Sequence, residues 1–170
     1  MSALRHLRAL WRLIRSLMPD LLAGTIVNAL DVTPTVENFQ TGQFTFNATT
    51  YGTDNDSGAY ADCGIAFTAP TTGRVEIKFG GNAFNDTAAQ FTAISPVVRT
   101  GSTVGAGTVF QAASDDTAVV NTGTNPVNVS RTDLITGLTP GDVYNVRLEH
   151  RVGANIGTLL RRWVVVTPAT

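Results

Sequence analysis

An all-β sandwich carried behind one short amphipathic helix is the fold class this sequence predicts, and three observations predict it. The first is composition. Among 170 residues there are 25 Thr and 16 Gly, and only 15% are charged; such a mixture suits pleated surfaces and turns better than helices, which favour Ala, Leu, Glu and Lys. The second is patterning, because from Gln43 onward apolar and polar residues alternate in short runs punctuated by Gly, Pro and Asn. The third is a change of period at the start of the chain, where apolar residues recur every three or four positions instead of every two.

That first element occupies residues 4 to 21. Leu4, Leu7, Trp11, Ile14, Met18 and Leu21 lie on a heptad seam, and Leu7, Leu10, Ile14, Leu17 and Leu21 satisfy a second register equally well. The apolar face is therefore broad, and Arg5, Arg8, Arg12 and Arg15 form an acid-free stripe elsewhere on the helix. A helix of this length is marginal alone because nucleation is unfavourable below about 12–15 residues. Leu4, Leu7, Leu10, Trp11, Ile14, Leu17 and Met18, with the four arginines, are thus the expected interface, between copies of the chain or in a groove of a partner protein, the plainer alternative being that the helix packs on its own sandwich.

Arg12 and Arg15 interrupt each apolar run, so the segment lacks both the continuous core of an export signal and the length of a membrane span. The expectation is a soluble protein that bypasses the general secretory route, with binding of the Arg-rich helix to a membrane surface a minor alternative. Pro19-Asp20 breaks or ends the helix. Residues 1–22 are read as an anchoring and oligomerisation arm, 23–42 as a connecting segment with Thr25 to Leu30 left unassigned, and 43–170 as the head.

Within the head, Phe44, Phe46 and Ala48 share the face of a first strand. Further strands are expected at Cys63 to Thr68, Arg74 to Phe79, Phe91 to Arg99, Thr108 to Ala112, Val127 to Ile135, Val143 to Val152 and Leu159 to Val166. Between them lie Ala69-Pro70-Thr71-Thr72-Gly73, Gly80-Gly81-Asn82, Gly101 to Gly107, Asn121 to Pro126 and Thr139-Pro140-Gly141-Asp142, where Pro presets one turn dihedral and Gly or Asn supplies the positive one. About eight short antiparallel strands without intervening helices indicate a jelly-roll-type sandwich.

Reactive groups are few. His150 sits between Glu149 and Arg151 and is read as part of a solvated cross-strand charge ladder. Cys63 lies in an apolar run and is read as a small buried hydrophobe; as the lone cysteine it can form no internal disulfide. The acidic clusters Asp54-Asn55-Asp56 and Asp115-Asp116 resemble solvated turns more than cation loops, which need more oxygen ligands. Sequons at Asn47, Asn85 and Asn128 are expected by chance in so Thr- and Asn-rich a chain.

Charge narrows the partners. The net value of −1 hides a basic start, since residues 20–170 hold 8 bases against 13 acids. A body near −5 offers no general attraction to nucleic acid. No phosphate-cradling loop and no paired Cys and His set is present in the sequence. The expected class is therefore a non-enzymatic structural or binding protein without a cofactor.

The run Phe67-Thr68-Ala69-Pro70-Thr71-Thr72-Gly73-Arg74-Val75-Glu76-Ile77, the stretch from Gly137-Leu138-Thr139-Pro140-Gly141 to Arg151, and the closing Arg161-Arg162-Trp163-Val164-Val165-Val166-Thr167-Pro168 together resemble small virion proteins of tailed phages that infect actinobacteria. The resemblance implies a homotrimeric jelly roll akin to tumour necrosis factor and complement heads, displayed on the particle as a head decoration, a fibre or a minor tail protein. The arm would then meet a capsid or tail protein. A glycan of the host surface, met by Tyr51, Tyr60, Asp54 and Asp56, is the alternative partner. The same Leu138 to Gly141 turn before Tyr144 is also similar to the tyrosine corner of fibronectin type III sandwiches, the second-ranked fold.

Overall fold

A computed structural model of the chain describes residues 34–53 and 61–170. The amphipathic arm and its interface residues, Leu4 through Met18, lie outside the described residues, as do Asp54, Asp56 and Tyr60.

Ten strands form among the described residues: β1 (Val36–Gln40), β2 (Phe44–Phe46), β3 (Gly64–Thr68), β4 (Val75–Asn85), β5 (Phe91–Thr100), β6 (Val109–Gln111), β7 (Val119–Thr122), β8 (Val127–Ile135), β9 (Val143–Val152) and β10 (Gly157–Pro168), with a 3-10 turn at Asp115–Thr117. The first sheet has the order β1-β10-β4-β8, with β2 also on β10; the second has the order β3-β9-β5-β6, with β7 also on β5. All pairs are antiparallel.

The pairings are nested. β1 and β2 pair with β10, β3 with β9, β4 with β8 and β5 with β7. The chain is thus one long folded-back ribbon whose successive pairs fall alternately in the first and second sheets, which is the topology of a jelly roll. It sets aside the fibronectin-type alternative, although the tyrosine corner itself forms: the Thr139 amide donates to Tyr144 Oη at 3.1 Å.

Alternation along the strands fills the space between the sheets. Phe44, Phe46, Val75, Ile77, Phe79, Ile94, Val98, Val146, Leu148, Val152, Leu159 and Val164 are all sealed from solvent, each large side chain contributing about 1.5–3 kcal/mol by leaving water. Three expectations are corrected. β1 lies inside the stretch read as a connection, and β7 was not foreseen; both are short strands next to turn-rich sequence. β4 runs on through Gly80-Gly81-Asn82, read as a break, because these glycines mark close backbone approach instead of a turn. A Cβ on Gly80 would lie 2.2 Å from Val129 O, and one on Gly81 2.5 Å from Arg161 O.

The registers give the head two poles. Val36 stands opposite Val166 on β10, and Ile135 opposite Val75, so the chain enters the head beside the end of β10 and beside the 68–75 and 135–143 connections. The β4–β5, β7–β8 and β9–β10 connections lie at the other end, where Asn85 pairs with Gly157.

Candidate binding surfaces of the head

On β9 the inward side chains Tyr144, Val146, Leu148, His150 and Val152 alternate with outward Asn145, Arg147, Glu149 and Arg151. His150 therefore does not belong to the outward ladder. It is 2% exposed and packs on Phe44 and Phe46, with ring centroids 5.0 and 4.1 Å away. Strand alternation is the reason: of three consecutive polar residues, the middle one faces the core.

The outward row is covered by residues 100–118. Asn145 is fully buried; its Nδ2 donates to Gly101 O at 3.0 Å and Ala106 O at 3.2 Å, and its Oδ1 accepts from Gly105 N at 3.0 Å. Arg147 spans Glu149 at 2.8 Å and Asp62 at 3.4 Å. Ser95 Oγ lies 2.8 Å from Thr117 Oγ1 and accepts from the Ser114 amide.

Arg151 completes the row by grasping both oxygens of Asp115, at 2.9 and 2.5 Å. Tyr51 Oη donates to Asp115 Oδ1 at 2.9 Å, and the Arg151 guanidinium sits 5.4 Å from the Tyr51 ring and 4.7 Å from that of Phe91. The hydrogen bonds from Arg151 and then Tyr51 hold the Asp115 carboxyl below its usual range. Burial first, and the bond to Asp115 second, push the Tyr51 phenol up to about 12. These partners make the cluster a strap that fastens the 3-10 turn to the sheet. Tyr51, named above as a glycan contact, has its hydroxyl committed here.

Cys63 is fully buried in the core, and burial pushes its thiol up to about 12, the opposite of nucleophile activation. Arg162 was not singled out from sequence. It is 5% exposed, lies 4.3 Å from the Phe44 ring, and donates from Nη2 to Ala61 O at 3.2 Å; burial lowers its pKa. The signal was its place in the Leu159, Arg162, Val164 inward series, hidden by a register shift between Leu159 and Arg161. Asn85 of the second sequon is fully buried, donating to Ala154 O at 3.1 Å and accepting from the Thr87 amide. Among the described residues no group of three or more His, Cys, Asp or Glu is placed to hold a metal ion.

The outer face of the first sheet is different. One cross-strand row runs Phe39, Trp163, Gly80, Ser130, and the next contains Arg161, Asn82 and Asn128. With no side chain at Gly80, a groove of about 250 Å³ opens, lined by Phe39, Asn82, Asn128, Ser130, Arg161 and Trp163 over the backbone of Gly81 and Val129.

No family model matches the chain, and no curated protein matches it. Among solved structures it is similar to the Eiger TNF of S. frugiperda, with a TM-score of 0.43 and 7% identity over 81% of this chain and 94% of that one. It is similar also to the globular domain of zebrafish complement 1qA, with a TM-score of 0.41 and 13% identity over 81% of this chain and 98% of that one.

Proposed function

We propose that this chain is a non-enzymatic structural component of a phage particle, fastened through residues 1–22 to a capsid or tail protein and displaying a homotrimeric jelly-roll head on the virion surface. The observation that carries the reading is the polarity of the head. The described head begins at Pro34, beside the end of β10 at one pole, and its β4–β5, β7–β8 and β9–β10 connections lie at the other. A head with two distinct poles supports the display reading. The sequence likeness to actinobacterial phage virion proteins supports the particle, and the two apolar registers of the arm support both self-association and docking. Assembly takes place in the host cytoplasm, and the virion is the final location.

The test is made on the full chain. Light scattering should return three times the 18.0 kDa chain mass, and particles assembled with wild-type chain should contain it by mass spectrometry. The double variant Leu7→Asp, Ile14→Asp should leave β-rich circular dichroism intact but be missing from particles. A monomer at micromolar concentration overturns the trimer; undiminished incorporation of the double variant overturns the anchor.

A further inference from the structure

We propose that the groove on the outer face of the first sheet is a saccharide site, in which a pyranose ring lies on Trp163 and Phe39 while Asn82, Asn128, Ser130 and Arg161 meet its hydroxyls. This goes beyond the display reading and does not depend on it.

The groove's chemistry selects the ligand. Sugars present an apolar C–H face and a rim of hydroxyls, so their sites combine an electron-rich aromatic surface with donors and acceptors at the edge. Trp163 is half-buried and Phe39 is 55% exposed, side by side in register. Across the bare backbone of Gly80 stand Ser130 and, one row on, Asn82 and Asn128.

Asn82 carries the second observation. Its Nδ2 donates to Asn128 Oδ1 at 2.9 Å, while its Oδ1 is buried and has no hydrogen-bond partner. The Asn82–Asn128 pair sets the two amides together in the groove lining, where amide donors and acceptors suit sugar hydroxyls. Arg161 adds further donors at the open rim, and among the described residues no acid lines the groove, which argues against a cation. The volume of about 250 Å³ falls just under the usual range of about 300–1,000 Å³ for drug-sized ligands, which suits a single ring with its neighbours in solvent.

A second copy of the chain is the competing occupant. The rows beyond the aromatic pair carry Glu37, Lys78 and Glu76, with an exposed Lys78–Glu76 ion pair at 3.5 Å. Interface cores are depleted in Lys and Glu, so the face is better suited to a small polar ligand than to a dry protein contact.

The probes are galactose, mannose, N-acetylglucosamine and glucuronate, presented at millimolar concentration to the full chain and followed by saturation-transfer NMR. At least one should receive saturation, and its affinity should fall about tenfold in Trp163→Ala and measurably in Asn82→Ala and Arg161→Gln. Arg161 is exposed, so that variant keeps the test decisive if another misfolds. Absence of transfer to all four sugars, or transfer indifferent to all three groove variants, overturns the site. In a Trp11→Phe background, Trp163 emission that acrylamide cannot quench in the assembled protein would assign the face to a second copy and overturn it as well. Particle incorporation, read separately, should be unaffected by the groove variants.

Discussion

At the scale of single residues, the best-defined interaction is the strap of Arg151, Asp115 and Tyr51. Because Arg151 holds the Asp115 carboxyl low, ionised Asp115 contributes stability above the ordinary carboxylate pKa of about 3.9, and this is lost as pH falls through the lower folded-state value. Asp115→Asn should therefore have a lower urea midpoint than wild type at pH 7, and the two curves should converge on acidification. A variant whose deficit persists undiminished at the acid end would contradict the ionic account. Little of this cluster was legible in sequence, since Tyr51 and Asp115 are 64 residues apart. Cys63 was legible as a core residue from its apolar run alone. His150 was not, because a Glu-His-Arg triplet looks polar until strand phase says which member turns inward.

At the scale of elements, Asn145 has an influence that its type does not advertise. It ties the 101–107 loop to β9 through three hydrogen bonds from a site closed to water. Asn145→Ala should lower stability by about 1–3 kcal/mol, the range for leaving buried backbone groups unmatched. It should also speed amide exchange at Gly105, whose N–H donates to Asn145 Oδ1. Unchanged exchange there would show the loop to be held by other contacts. Among strands, β8 and β9 were read from sequence with the bounds they have in the structure, since each is a long alternating run closed by turn residues. β4 was cut short because glycine in a strand and glycine in a turn look alike until the neighbouring backbone is in place.

For the molecule as a whole, nested pairing has a kinetic consequence. β1 and β10 come together from opposite ends of the described chain, and β3 meets β9 across five intervening strands. Contacts so distant in sequence require long loops to close before they stabilise anything. Refolding of the full chain from urea should therefore take about milliseconds to seconds in its main phase, as followed by stopped-flow fluorescence. A dominant phase in microseconds would be incompatible with this topology.

The sequence by itself determined the class of this protein: Thr and Gly content, period-two alternation and turn chemistry are local properties, and they suffice to specify antiparallel strands, most of their positions and an apolar core. It also marked the change to a helical period in the first residues. Only the tertiary structure decided which strands are neighbours, that Tyr51 is committed to a strap, that His150 and Arg162 face the core, and that Phe39, Trp163 and Asn82 border one groove. Each of those depends on register between strands far apart in the chain, and register is a property of pairing that no single stretch of residues contains.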